Sequence, residues 1–345
     1  MAANLLSYSG ITTKSKGMQS KLMKDAEYEE LMQMNSVRDF VLYLKGKEAY
    51  QSYFEPMNEN SVHRGQIEKV LYSALFQSYA SLYRFADSRQ KKQLNLIYFH
   101  YEVRMLSECL KHLYDPNKEV NVKAYKEAFH NHIRIPIDKL MAAETLEEFR
   151  TCLFQTPYEG ILDPLLNEDK PSLFDLLMLL NGYYYKTLWK QCKKTMDSSQ
   201  ADTFMKCVGT KIDVENIMLI YRCKKYYQVD AAKITSIILP ISYRLKKEEL
   251  TALIHAETVT EFIEILKKTD YRIEKDTVSQ NDMERAYYHR ITKAYTDSKA
   301  KNPLGMAPIF SYLYKKEREL DNLTTILEGI RYGMNQETIR TFLIN

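Results

Sequence analysis

One nine-residue pattern, [ST]-x-x-[DE]-F-x-x-x-L, occurs three times in this chain, and that periodicity limits its possible folds more than any other feature. The copies are Ser36–Leu44, Thr145–Leu153 and Thr258–Leu266, with starts 109 and 113 residues apart. A leucine followed by Met or Ile stands five residues ahead of each: Leu31-Met32, Leu140-Met141 and Leu253-Ile254. A tyrosine follows each, Tyr50, Tyr158 and Tyr271, thirteen residues after the Ser/Thr in the second and third copies and fourteen in the first. A long sequence period means that one supersecondary unit is used repeatedly.

The pattern encodes a helix start. The Ser/Thr hydroxyl accepts from an orphan backbone N–H, and the acidic residue three positions on bonds back and suits the positive helix end. Ser36/Asp39, Thr145/Glu148 and Thr258/Glu261 are three such boxes. The apolar residues then keep helical spacing, as in Val37-Phe40-Val41-Leu44, Leu146-Phe149-Leu153 and Val259-Phe262-Ile263-Leu266, so one face of each helix packs inward.

A second pattern begins 61 to 68 residues after each first one: Glu102-Val103-Arg-Met-Leu106, Asp213-Val214-Glu-Asn216-Ile217 and Glu319-Leu320-Asp-Asn322-Leu323. Its apolar residues fall at i, i+3 and i+7, again helical, with Met105 in the first copy where the others carry Asn216 and Asn322. The chain holds 10 Gly and 9 Pro in 345 residues, about half the usual share of roughly 12%, so the many sharp turns of an all-β fold are not encoded. Gln66 to Asp115 contains no Gly or Pro, and Leu173 to Leu239 only Gly182 and Gly209, which predicts long helices or helix pairs. Joints are expected at Glu55–Gly65, Asp115–Val120, Pro157–Pro171, Asp270–Asn281 and Asn302–Pro308. The chain therefore reads as all-α, with three similar helical repeats of about 110 residues each, 1–119, 120–240 and 241–345. Like units reusing one packing interface suggest a pseudo-threefold body.

Lys+Arg exceed Asp+Glu by 49 to 45, a net charge of +4 that implies no nucleic-acid partner. The first thirty residues carry Lys14, Lys16, Lys21 and Lys24 without a signal-type apolar run, and no later stretch approaches eighteen uncharged apolar residues. The expectation is a protein neither exported by a signal peptide nor membrane-spanning. Cys109, Cys152, Cys192, Cys207 and Cys223 are odd in number and never form a CxxC pair, so they read as small core or surface residues in a reducing compartment.

No G-x-x-x-x-G-K-[ST], G-x-G-x-x-G, G-x-S-x-G or H-E-x-x-H occurs, so the usual phosphate cradles, serine nucleophile elbow and zinc-protease helix are not encoded. His130-Asn-His132 would point its imidazoles apart on a helix, and His63, His100, His112, His255 and His289 stand alone. No catalytic, cofactor-binding or metal-ligating residue emerges. Tyr183–Tyr185, Tyr226-Tyr227 and Tyr287-Tyr288 read as core-rim or interface residues, each burying a ring and keeping its hydroxyl wet. Basic runs such as Arg222-Cys-Lys224-Lys225 and Lys246-Lys247 read as solvated faces or partner contacts.

The opening Lys16-Gly-Met-Gln-Ser-Lys-Leu-Met23 running into Tyr28-Glu-Glu-Leu31-Met-Gln-Met-Asn-Ser36-Val-Arg-Asp-Phe40, with the closing Tyr312-Leu-Tyr-Lys-Lys-Glu-Arg-Glu319-Leu-Asp-Asn322-Leu-Thr-Thr-Ile326-Leu-Glu-Gly329, resembles the C subunit of archaeal and bacterial A/V-type ATPases, the family that includes the vacuolar d subunit. The resemblance spans essentially the whole chain, including Gly333 and the Glu337–Leu343 segment. It implies a funnel of three helical bundles that sits on the membrane rotor ring and receives the end of the central shaft. Such a part is non-catalytic: it passes torque for coupled ATP turnover and proton or sodium transport, needs no cofactor, meets shaft subunits of the D and F type and the ring, and lies peripherally on the inner face of the cell membrane. Candidate partner contacts are the charged and tyrosine-rich positions just after the second pattern, Arg222, Lys224, Lys225, Tyr226, Arg331 and Tyr332, on exposed helix ends. The rival readings are a helical-repeat adaptor, whose repeats would normally be 30–50 residues, and a helical enzyme built on a carboxylate pair in a cleft.

Overall fold

The computed structural model describes residues 2–118, 120–130, 132–165, 171–273 and 279–343, with backbone alone for 2–6. Parts of three expected joints, at 119, 166–170 and 274–278, lie outside the described residues, as does Asn131 of the histidine pair. Among the described residues every regular element is helical: seventeen α-helices, one 3-10 turn and one π-helical turn. The all-α expectation holds.

All three predicted helix starts form. Ser36, Thr145 and Thr258 each accept from the N–H three residues on, at 3.1, 3.2 and 3.1 Å. The return bond reaches one residue further back than the box requires: Glu148 accepts from the N–H of Glu144 at 2.9 Å and Glu261 from that of Glu257 at 2.7 Å. Asp39, one methylene shorter, accepts the Ser36 hydroxyl instead, at 2.6 Å. Phe40, Phe149 and Phe262 are fully buried, as are Leu44, Leu153 and Leu266 to within 1%.

The turn into the tyrosine explains the one-residue difference between copies. In the second and third, Thr156 and Thr269 bond back to the carbonyls of Leu153 and Leu266, and their hydroxyls accept from the N–H groups of Tyr158 and Tyr271. The first copy has no threonine there. Its chain turns through Gly46 and Lys47, and the Tyr50 N–H bonds the Lys47 carbonyl at 2.9 Å.

The stretches poor in Gly and Pro are helix pairs broken by caps. Gln66–Asp115 spans most of Arg64–Phe85 and all of Ser88–Tyr114. At the break, Asp87 Oδ1 accepts from the Gln90 N–H at 2.8 Å while Gln90 Oε1 accepts from the Asp87 N–H at 3.0 Å. Asp197 caps the second break by accepting from the Gln200 N–H at 3.0 Å, between helices Leu173–Thr195 and Ser198–Arg222. A reciprocal Asp-x-x-Gln box at the first break and an aspartate cap at the second thus replace the missing glycine or proline.

The chain falls into two compact units. The first comprises Met1–Lys91, Asn121–His132 and Lys299–Asn345, the second Lys92–Val120 and Ile133–Ser298. In the first, helix Ala307–Arg331 runs through the core against Ala2–Gln19, Asp25–Met32, Val37–Lys45 and Arg64–Phe85. Helix Val122–Phe129 adds an aromatic knot in which the ring of Phe76 meets those of Phe129 and Tyr125 at 5.2 and 5.8 Å. In the second, Ser198–Arg222 plays the central part, packed on Leu173–Thr195 and Lys247–His255. Cys109, Cys192, Cys207 and Cys223 are buried and Cys152 is half-buried, all as free thiols; burial pushes Cys109, Cys192 and Cys207 up to about 12.

The first unit closes with a helix stop that only glycine serves well. Gly333, at φ +63, sends its N–H to the Ile330 carbonyl while Met334 bonds that of Gly329, which is the Schellman arrangement. The last helix, Gln336–Phe342, folds back so that Ile339 lies where a Cβ on Gly329 would stand, 2.6 Å from its Cδ1. Glu29 clamps it through Arg340 and through Gln336 at 2.8 Å. The bond from Arg340 holds the Glu29 carboxyl below its usual range. A depressed carboxylate contributes stability above its unfolded value, about 4.3, and loses it as pH falls through the folded one. Hydrogen-exchange protection of the Ile339–Phe342 amides is therefore expected to drop as the pH is lowered below about 4.3, with the drop absent in Glu29→Gln.

Candidate functional site

Three carboxylates at the head of the second pattern are the most constrained polar groups in the protein. Glu102 and Asp213 are 0% exposed and Glu319 is 2% exposed. They lie on helices Ser88–Tyr114, Ser198–Arg222 and Ala307–Arg331. Each accepts the hydroxyl of a tyrosine that follows a capping pattern: Tyr158 to Glu102 at 2.6 Å, Tyr271 to Asp213 at 2.8 Å and Tyr50 to Glu319 at 2.5 Å. The tyrosine never belongs to the carboxylate's own repeat. The acid of the first copy holds the tyrosine of the second, the second holds the third, and the third holds the first.

The same carboxylates also take backbone N–H groups from the segment that enters the short helices ahead of that tyrosine. Arg134 N–H donates to Glu102 at 3.1 Å, and Met23 N–H to Glu319 at 2.5 Å. Asp213 receives three, from Tyr243 at 3.0, Arg244 at 2.7 and Leu245 at 3.0 Å. Each acid thus fixes both ends of a loop, two short helices and a turn.

Their charges are compensated differently. Arg134 donates to Glu102 through Nε and Nη2, with Tyr98 adding a bond at 2.9 Å. Lys316, itself buried, donates to Glu319 at 2.6 Å and to the Tyr50 oxygen at 2.8 Å. Asp213 has only dipoles; burial lifts its carboxyl above the ordinary range against the pull of the three N–H groups and Tyr271. Burial, then Asp213, pushes the Tyr271 hydroxyl up, and burial with Glu319 does the same to Tyr50, so both remain proton donors. One turn further along, Asn216 clasps Leu239 at both its N–H and its carbonyl, at 2.8 and 2.9 Å, and Asn322 bonds the Tyr28 hydroxyl. Met105 is buried at the equivalent position and packs without an amide.

Carboxylates satisfied in this way are joints. A general acid or base needs reach to a substrate proton, and these three are covered by their own partners. No group of three His, Cys, Asp or Glu able to hold a metal occurs among the described residues. His132 rests edge-on against Tyr83 at 4.1 Å, its imidazolium disfavoured by burial and by nearby His130 and Lys91.

The six candidate contacts divide by their bonds. Arg222 is exposed and paired with Glu284 at 2.8 Å. Lys224 turns inward to close helix Lys247–His255, donating to the carbonyls of Ile254 and Ala256 at 2.6 and 2.5 Å. Lys225 donates to the Tyr221 hydroxyl at 2.8 Å and lies 5.3 Å from the Tyr226 ring. Tyr226 and Tyr227 project at 51% and 71% exposure from a π-helical turn, Cys223–Tyr227, that ends on Gln228 at φ 49. Arg331 bonds Glu328 at 3.1 Å and covers Tyr332, which is 68% exposed. Measured from the clamp acid, Lys225 and Arg331 hold the same position, as do Tyr226 and Tyr332. The first long helix likewise ends on an exposed tyrosine, Tyr114 at 44%. Tyr114 stands twelve residues after Glu102, at the offset of Lys225 and Arg331 and one short of the two tyrosines, and its hydroxyl donates to the Pro171 carbonyl at 2.7 Å.

A family model described as ATP synthase (C/AC39) subunit matches residues 11–342. The chain belongs to this family. Curated relatives are modest in identity but nearly full in length. The A-type ATP synthase C subunit of Thermococcus kodakarensis is 26% identical over 97% of this chain and 90% of its own. That of Methanocaldococcus jannaschii is 26% identical over 100% and 88%. That of Methanosarcina barkeri reaches 27% over a shorter 60% and 57%. As a C/AC39 subunit the chain is one part of an A/V-type ATP synthase, and its partners are other parts of that complex. No helix among the described residues is long and apolar enough to cross a membrane.

Proposed function

We propose that this C/AC39 subunit is the socket of the central stalk: a non-catalytic part that joins the shaft of the soluble head to the membrane rotor ring and carries torque between them. ATP is turned over elsewhere. The supporting observation is the set of three buried carboxylate clamps, which tie each short-helix module to a long helix by ionic or multiple hydrogen bonds. A body that transmits torque must not yield internally, and packed helices with satisfied buried polar joints deform little.

In this proposal the periods 1–119, 120–240 and 241–345 form three helical bundles about a pseudo-threefold axis, arranged as a funnel. Shaft subunits of the D and F type and the rotor ring are its neighbours, and the protein is held at the inner face of the cell membrane through them alone. Lys225, Tyr226 and Tyr227 with Arg331 and Tyr332 make the contacts; Tyr and Arg are the residues that dominate interfaces. Arg222 and Lys224 act behind them, one paired and the other closing a helix.

The test is a tagged pull-down from gently solubilised native membranes. Shaft and ring subunits should co-purify in stoichiometric amount, and Tyr226→Ala/Tyr227→Ala/Tyr332→Ala should lower their recovery about tenfold or more without changing the melting temperature. Recovery of the tagged chain alone, or with unrelated soluble partners, would overturn the socket in favour of a helical-repeat adaptor.

A further inference from the structure

In the first unit, three lysines from three helices converge without a carboxylate. Helices Ala2–Gln19 and Ala307–Arg331 run side by side: Ser15 Oγ donates to the Pro308 carbonyl at 3.4 Å, and the Met23 N–H, in the turn that follows the first helix, donates to Glu319 at 2.5 Å. Gln19 ends the first of these helices, Lys315 lies one turn before Glu319 on the second, and Lys315 is close enough to Lys299 to repel its ammonium. Lys16 lies one turn before Gln19 on the same face. Lys299, in the last turn of helix Gln280–Lys301, reaches Gln19 Oε1 at 2.9 Å.

Lys299 and Lys315 are half-buried and Lys16 is exposed. None of the three forms an ion pair among the described residues, whereas neighbouring Lys47 pairs with Glu27 at 2.6 Å, Lys45 with Glu59 at 2.7 Å and Lys21 with Glu48. Burial disfavours the Lys299 ammonium, and Lys315 and Lys16 add repulsion. Gln19 turns its oxygen to Lys299, which leaves its NH2 group to donate into the same space.

We propose that Lys16, Lys299, Lys315 and the Gln19 amide bind a compact phosphate-type anion, either free in solution or carried as a phospholipid headgroup. Three ammonium groups supply point charges suited to phosphoryl oxygens. Because two of them are recessed, a small anion reaches all three where a flat protein face would not. The site also explains why like charges are tolerated at this depth: the bound anion removes their repulsion, which strains the empty protein.

Pyrophosphate titrated calorimetrically into the 345-residue chain at low ionic strength is expected to bind saturably at one site, and to raise the melting temperature by linkage. In Lys299→Gln/Lys315→Gln the affinity falls about tenfold or more. That variant should also melt higher than the unaltered protein in anion-free buffer, a gain that mere loss of structure would not give. Flotation with phosphatidic acid vesicles, against phosphatidylcholine vesicles, separates the sources: vesicle binding without pyrophosphate binding assigns the headgroup, and the reverse assigns the free anion. No saturable binding to either, or equal binding by the double variant, overturns the site.

Discussion

Glu319→Ala is expected to cost about 3–5 kcal/mol, because it removes one member of a buried charge pair and leaves the other behind. Lys316 would then be a buried cation with only a phenol for company, and the Met23 N–H would lose its acceptor. Glu319→Gln should fall between, since it keeps an acceptor for Tyr50 but no charge for Lys316. The single tryptophan, Trp189, lies in the second unit, so its fluorescence is a built-in control. Hydrogen exchange in helices Asp25–Met32 and Val37–Lys45 should accelerate in the variant while the Trp189 signal stays unchanged. Protection in those helices equal to the parent's would show that the clamp does not hold them.

Gly209→Ala inverts the usual rule. In a helix interior alanine is better than glycine by about 1 kcal/mol. Here a Cβ would stand 2.7 Å from Cβ of Tyr243 and 2.8 Å from its Cδ2. The ring must move, and its backbone supplies the first of the three N–H groups that hold Asp213. Overpacking of this kind costs about 1–3 kcal/mol, and each N–H lost from Asp213 adds about 1–3 more. We expect a net loss of about 2 kcal/mol or more. Trp189 lies 6.4 Å from Tyr243 and reads the change directly in urea unfolding. In a Tyr243→Gly background, which removes the Cβ as well as the ring, the same glycine substitution should be close to neutral or stabilising. A loss of equal size there would place the strain elsewhere.

Much of this was legible in the sequence, and the missing part has one cause. The three caps, the buried Phe and Leu of each short helix and the inward faces of the long ones are local, set by spacing within a turn or two. Tyr50, Tyr158 and Tyr271 stood out as recurrent, and so did Glu102, Asp213 and Glu319. Their pairing did not, because periodicity says which face is buried and nothing about what it meets. The nearest guess, a tyrosine with the acid of its own repeat, would have been wrong three times. Gly209 was noted only as a break in a breaker-free stretch, for a single sequence cannot show that Tyr243, thirty-four residues on, lies against it. Lys224 illustrates the same limit among the docking candidates. It sits in a basic run that reads as solvated, yet its ammonium closes a helix from behind.

The bond between Tyr50 and Glu319 spans 269 residues of chain. Two of the three clamps join segments 56 and 58 residues apart and can close soon after both are made. The third cannot. At about 5–20 residues per second, the first short helices leave the ribosome roughly 13–54 s before the residue that anchors them. Phe40, Leu44 and Tyr50, made well before their anchor, are therefore among the last residues to be fixed, and for that interval only one another's side chains shield them from water.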